Sequence, residues 1–212
     1  MKRILVIGAA GMIGRKLVAR LQKDGAGELI QQDVVPFEGG IVSDLSSPGE
    51  AEKLITKRPD LIFHLAAVVS GEAEADFEKG YRVNLDGTRY LFGAIRKANY
   101  KPKVVFTSSI AVFGAPFPDA IGDEFLNAPL TSYGTQKAIS ELLLSDYSRR
   151  GFFDGVGIRL PTICVRPASR TRPPPASSPA SCASRSPARR RSCRWPTRCG
   201  TGSPRPGRPS NS

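Results

Sequence analysis

The sequence predicts an α/β fold over residues 1–167, a doubly wound parallel sheet, and three observations carry that reading. Short apolar runs alternate with stretches of helical period from Arg3 to Leu160. Strands separated by helices pair in parallel through right-handed crossovers, with helices on both faces. A glycine-rich turn, Gly8-Ala-Ala-Gly11-Met-Ile-Gly14, links the first strand to the first helix. The composition then changes abruptly. Residues 168–212 hold 10 Arg, 10 Ser and 9 Pro and no Leu, Ile, Val or Phe, so the core must come from the residues before them.

The elements follow in chain order. Arg3–Ile7 is an apolar run ending at Gly8, as in a strand buried on both faces. Met12, Ile13, Leu17, Val18 and Leu21 form a helical stripe that closes near Asp24-Gly25. Residues 28–35 suit a second strand and residues 40–44 a third. Ser47-Pro48 is expected to open a helix with Pro in its first turn and Glu50 and Glu52 near its positive end. Residues 60–67 read as a buried strand, and 73–99 as helix interrupted near Gly80. Residues 103–108 form a strand, and Thr131 or Ser132 caps a helix running to about Arg150. Val156–Leu160 is the last strand.

Charge separates the same two regions. The chain nets +12. Residues 1–167 hold 21 Lys+Arg against 19 Asp+Glu, whereas residues 168–212 hold 10 Arg and no Lys, Asp or Glu. The body is therefore nearly neutral, and a specific nucleic-acid partner is not expected. No apolar run has the length of a membrane span, and no signal peptide follows Met1-Lys2-Arg3, which makes the cytoplasm the expected location. Cys164, Cys182, Cys193 and Cys199 have spacings that fit no paired zinc motif, and a disulfide framework is not expected in a reducing compartment. Apart from Trp195 the tail has almost nothing to bury against the entropy of ordering, so disorder is expected there. Two readings of it stand: a basic arm for polyanions, or a GC-rich gene read out of frame.

The glycine turn carries the first chemical signal. Glycines after a strand and before a helix permit a tight turn, close backbone approach to a pyrophosphate, and close helix–strand packing. The helix N-terminus adds free N–H groups and partial positive charge. Asp33 stands at the end of the second strand, 25 residues after Gly8. A carboxylate there accepts hydrogen bonds from ribose hydroxyls and repels a 2′-phosphate, which selects NAD over NADP. The alternative is a structural turn with a surface Asp.

The second signal is Tyr133-Gly-Thr-Gln-Lys137, a phenol and an amine one helical turn apart on one face. A nearby cation favours the phenolate, so Tyr133 is expected to have a lowered pKa and to act as general base. Ser109 ends the strand that begins at Lys103, where ligands bind in open α/β sheets. Its hydroxyl can hold a substrate oxygen, or it can simply cap the turn. His64 is the only histidine. That excludes a hydrolase built on a second His and a His-rich metal site, and leaves a structural or cofactor-flanking role.

These segments together resemble the extended short-chain dehydrogenases/reductases, the NAD-dependent epimerase/dehydratase group. Gly8–Gly14, Asp44-Leu45, His64-Leu-Ala-Ala67, Asn84-Leu-Asp-Gly-Thr88, Ser108-Ser109 to Gly114 and Tyr133 to Lys137 match its pattern in order, over about residues 3–167. The resemblance implies a Rossmann-type NAD-binding domain over residues 1–167. It places Gly8, Gly11, Met12, Ile13, Gly14 and Asp33 on the cofactor and Asp44 and Leu45 near adenine. Leu65, Ala66, Ala67 and Asn84 would line the cofactor, and Pro161 and Ile163 would lie beside nicotinamide. Ser109, Tyr133 and Lys137 fall on the catalytic positions, with Lys137 also contacting ribose. Ser70 falls on the substrate side with Ser109 and Tyr133, as do Gly71 and Glu72, unless these form a loop and helix cap.

Within the group, residues 65–77, 108–117 and 159–167 resemble the sugar-acid dehydrogenases. That likeness implies NAD-dependent oxidation of a small sugar acid such as D-erythronate. A nucleotide-sugar epimerase or dehydratase is the alternative, as is an NAD-binding remnant without catalysis. The family's pattern continues well past Pro167 into the substrate-binding part, and the basic tail stands there instead. Weak or no turnover is therefore expected of this chain. The resemblance also implies homodimers paired through helices at 71–98 and 132–150.

Overall fold

The computed structural model describes residues 1–163 apart from 115, 119, 123 and 124. The tail and all four cysteines lie outside the described residues. Six strands, β1 (Arg3–Ile7), β2 (Glu28–Asp33), β3 (Ile41–Val42), β4 (Leu61–His64), β5 (Lys103–Ser109) and β6 (Asp154–Leu160), form one parallel sheet. Its order is β3-β2-β1-β4-β5-β6. The chain leaves β1 toward one edge and returns to β4 on the other side. The carboxyl ends of β1 and β4 therefore flank the topological switch point where such sheets bind ligands.

Both faces of the sheet carry apolar side chains, as the near-continuous apolar runs require. On one face Ile4 and Val6 pack with Val18, Leu17 and Leu21 of α1 (Met12–Lys23). On the other, Leu5, Ile7, Ile62, Val104 and Phe106 form the larger cluster. They pack there with Leu54 and Ile55 of α2 (Glu50–Ile55), Leu91, Phe92 and Ile95 of α5 (Gly87–Ala98), and Leu144 of α6 (Ser132–Arg149). Burying such a side chain contributes about 1.5–3 kcal/mol, so this cluster dominates the stability of the sheet. Gly155 and Gly157 of β6 turn toward Leu144, while Val156 and Ile158 on the opposite face are exposed.

Several expected boundaries move, each for a local reason. The second strand stops at Asp33, because its carboxylate accepts hydrogen bonds from Ala10 N (2.9 Å) and Val35 N (3.2 Å) and the chain turns. The third strand shrinks to the two residues that pair with β2. Pro48 does not open α2. Residues 44–49 form turns through Ser47 N to Asp44 O (2.9 Å) and Glu50 N to Ser47 O (3.3 Å), and Gly49 at φ 87 starts the helix one residue later. The fourth strand ends at His64, and residues 65–69 leave the ladder to form a wall described below.

The helical stretch after that wall begins at Ser70 with α3 (Ser70–Ala75), and its break is at Asp76 rather than near Gly80. Asp76 is extended (φ −128, ψ 91), and its side chain accepts from Lys79 N to start α4 (Phe77–Gly80). A π-helical segment, Tyr81–Asp86, then leads into α5. Thr131 caps α6 by accepting from Gly134 N at 3.0 Å, as its sequence suggested.

Candidate active site

Two cavities open at the carboxyl end of the sheet, of about 650 and 390 Å³. Gly8, Gly11, Leu65 and Ala67 line both, so they are halves of one crevice. The larger half gathers Asp33, Asp44, Leu45 and Ala66, with Gln32 and His64. The smaller gathers Met12, Ile13, Gly14, Ser109, Tyr133, Lys137, Pro161 and Ile163. Three expected site residues, Asn84, Ser70 and Gly71, line neither half. Asn84 is buried behind the wall, and Ser70 begins α3 beside Val69, which does line the smaller half. Glu72 lines the larger half and is paired with Lys79 at 2.5 Å.

The glycines leave a cradle of bare backbone. Gly8 has φ 85, and a Cβ there would stand 2.7 Å from Ala66 N. A Cβ on Gly14 would stand 2.1 Å from Gly8 O. Gly11 N donates to Gly8 O at 3.2 Å and closes the turn. The N-cap of α1, Gly11, brings no side-chain cap, and no acid stands in the first turn. The first N–H groups of this 12-residue helix thus face a crevice with their partial positive charge uncompensated, which suits a pyrophosphate. Asp33 projects into the same crevice with its carboxylate anchored on Ala10 N. These residues fit NAD.

Asp44 is already engaged. It accepts from Ser46 N (2.9 Å), Ser46 Oγ (2.6 Å) and Arg82 Nη1 (2.9 Å). Burial raises its pKa, but the bonds from Ser46 and Arg82 outweigh this and hold it below the usual carboxylate range. Arg82 gave no signal in the sequence. It reaches Asp44 from 38 residues away, a pairing that only the return of the π-helical segment to the sheet creates.

Tyr133 and Lys137 lie in the first turns of α6 and Ser109 at the end of β5, all three on the smaller half. The Ser109 hydroxyl lies beside Tyr133 and favours its ionised form. It also accepts from Ala111 N at 3.1 Å, so it caps a turn and meets the tyrosine at once. Lys137 is 2 % exposed, donates to Thr107 O at 2.8 Å, and lies 5.8 Å from the Tyr133 ring centre and 4.8 Å from that of Phe106. Burial lowers its pKa to about 8, against a raising influence from Glu141. The expected lowering of the Tyr133 pKa is not what this geometry produces. Burial raises it, and the neighbouring Ser109 hydroxyl offsets only part of that, because removing a phenolate from water costs more than one nearby hydroxyl returns.

His64 is fully buried and neutral, its pKa pushed down to about 3 by burial and by the Lys137 charge. Thr88 Oγ1 donates to Asn84 O at 2.8 Å, so the 2.9 Å contact to His64 Nε2 requires the ring proton on that nitrogen. The ring ties the end of β4 to α5 through Thr88. Glu141 and Arg159, also missed in the sequence, pair through two bonds of 2.9 and 2.8 Å, and Asn127 joins both. They tie the segment before α6 to the last strand.

The comparisons with known proteins agree with this geometry. Residues 4–176 match the NAD dependent epimerase/dehydratase family. The chain belongs to that family. It is similar to the D-erythronate dehydrogenase of Cupriavidus necator, at 46% identity over 181 residues covering 77% of this chain and 56% of that protein. The D-erythronate dehydrogenase of Haemophilus influenzae is 41% identical over 176 residues, covering 78% of this chain and 56% of that protein. Among solved structures, the nucleoside-diphosphate-sugar epimerase from Agrobacterium tumefaciens superposes with a TM-score of 0.75 at 65% identity, covering 84% of this chain and 56% of that one. The chain thus spans a little over half the length of each. Among the described residues no helix is long and apolar enough to cross a membrane.

Proposed function

We infer that this chain carries the cofactor half and the catalytic residues of an NAD-dependent dehydrogenase that oxidises a hydroxyl of a small sugar acid, D-erythronate being the foremost candidate. One observation carries the reaction class: Ser109, Tyr133 and Lys137 line the same cavity as the glycine turn. The substrate class rests on the likeness to the two D-erythronate dehydrogenases.

The turn from Gly8 to Gly14 and the N-terminus of α1 would hold the pyrophosphate, Asp33 the adenosine ribose, Lys137 the other ribose, and Pro161 and Ile163 would flank nicotinamide. NAD supplies, when bound, the carbon that accepts the hydride. Tyr133 takes the hydroxyl proton as general base. Ser109, beside Tyr133 on the same cavity, holds the substrate oxygen against it. Lys137, with a pKa near 8, is largely a cation at neutral pH, and it stabilises the phenolate through a short low-dielectric path. The wall at residues 65–69 and the Phe106 ring keep water from that path.

The likeness to the Agrobacterium tumefaciens structure favours a second reading, a nucleotide-sugar epimerase. Such an enzyme returns its hydride and accumulates no NADH. A single-turnover mix of NAD, D-erythronate and a version of this protein extended to the full length of its relatives separates the two. The expected result is NADH absorbance that Tyr133→Phe lowers by about a thousandfold or more, within the range for loss of a general base and its positioning. In that extended protein, NAD binding without NADH formation from D-erythronate or related sugar acids would refute the dehydrogenase reading.

A further inference from the structure

Behind the crevice lies a buried amide pair that the proposed chemistry does not use. Asn84, 2 % exposed, sits in the π-helical segment, and its side chain grips one residue of the wall by both backbone groups. Val68 N donates to Asn84 Oδ1 at 2.8 Å, and Asn84 Nδ2 donates to Val68 O at 3.1 Å. The Val68 N–H fixes which end of the amide is oxygen. The second Nδ2 hydrogen therefore has to find another acceptor, and Gln136 Oε1 takes it at 2.7 Å.

Gln136 has no exposed surface and directly precedes Lys137 on α6. Its backbone oxygen accepts from Ser140 Oγ at 2.8 Å. Holding this orientation is costly in two ways. The amide nitrogen Nε2 of Gln136 is buried without a partner among the described residues, and such a group carries its full desolvation penalty. A glycine also stands at position 80, the last residue of α4, where a Cβ would be 2.8 Å from that nitrogen and 3.1 Å from Ala73 Cβ. A π-helical segment, an unsatisfied amide and a helix glycine all accommodate one contact, and such irregularities concentrate at working sites.

The geometry points to Gln136 as a positioning residue, which through Asn84 sets the wall at residues 65–69 in register with the helix that bears Tyr133 and Lys137. The wall lines both halves of the crevice through Leu65 and Ala67. Its position decides where a dinucleotide lies relative to the phenol, and this consequence rests on the function proposed above. Without Gln136, Asn84 keeps its hold on Val68 but loses the tie to α6, and the wall then moves independently of the catalytic helix.

The test is hydrogen–deuterium exchange on the full chain, first without any ligand and then with NADH, comparing wild type with Gln136→Leu. The expected result is a loss of protection at the Val68 amide of roughly tenfold, the scale of one buried hydrogen bond. The amides of Leu5, Ile62 and Phe106 in the sheet should stay within about twofold. Affinity for NADH should fall by a similar factor. Val68 protection unchanged within about twofold, or a loss spread evenly over the sheet amides, overturns the proposal. So does a Val68 amide that loses protection while NADH affinity holds. Should Gln136→Leu fail to fold, Gly80→Ala pushes against the same amide nitrogen and is read by the same criteria. A wild-type chain that binds no NADH defeats the functional reading and leaves the ligand-free exchange arm to decide this one.

Discussion

Lys137→Met should stabilise this protein while abolishing its proposed chemistry. The lysine is buried, and its pKa lies near 8 instead of 10.5 because burial penalises the charge. That displacement corresponds to about 3 kcal/mol by which the charged folded chain is disfavoured at neutral pH. Methionine keeps the length and the apolar stem. It forfeits the bond to Thr107 O, about 1 kcal/mol net. A gain of about 2 kcal/mol remains, or roughly 4–8 °C in Tm for a domain of this size.

The pH dependence makes the reasoning stricter. Below about pH 8 the folded and unfolded chains both hold the proton, and the penalty is fully present. As pH rises from about 8 toward 10.5 the folded chain gives up its proton first. The unfolded state then binds more protons, and wild-type stability climbs. By about pH 9.5 some 2 kcal/mol should be recovered, and the two proteins should be nearly equal in stability. Tyr100, raised to about 12 by burial, and Tyr133, raised in the same direction, begin to weigh only as pH approaches their unfolded value of 10, above the pH 9.5 measurement. Urea unfolding followed by circular dichroism at about pH 7 and pH 9.5 measures the two differences. A variant less stable than wild type at pH 7, or a gap that does not close with pH, would refute the account.

Two further outcomes follow from the crevice. Gly14→Ala puts a methyl 2.1 Å from Gly8 O and 2.8 Å from Ala9 Cα. Both obstacles are backbone, so thermal melting should show a loss of about 1–3 kcal/mol and a fluorescence titration a weakening of NADH binding by more than about tenfold; an unchanged melting curve would count against the close helix–strand packing. Asp33→Ser removes the carboxylate that repels a 2′-phosphate and also one anchor of the turn at Ala10. The ratio of NADPH to NADH affinity, measured on the same preparation, should rise by about tenfold, and a constant ratio would deny Asp33 its discriminating role.

Much of this was legible in one dimension because it depends on short-range pattern. The apolar run Arg3–Ile7, the glycine turn and the stripe from Met12 are contiguous, and their period and spacing specify a strand, a turn and a helix locally. Thr131 announces the start of α6 by the same local logic. Tyr133 and Lys137 share a face because any helix puts them there. Boundaries were less legible where a distant group competes with local preference. Residues 65–67 read as strand by composition, but Asn84 takes the backbone of Val68 and turns that segment into a wall. Pro48 sits in a turn because Asp44 and Ser47 bind the chain ahead of it.

The order of residues along the chain was enough to determine the fold class and the glycine cradle and to single out Ser109, Tyr133 and Lys137 as candidates, since each is a matter of nearest neighbours or of one helical turn. Only the folded molecule decided that Tyr133 is made less acidic rather than more, that Arg82 closes on Asp44, and that Gln136 meets Asn84 across 52 residues. Desolvation and long-range pairing depend on what surrounds a group in space, and that is settled when β1, β4 and β5 come together beneath α5 and α6.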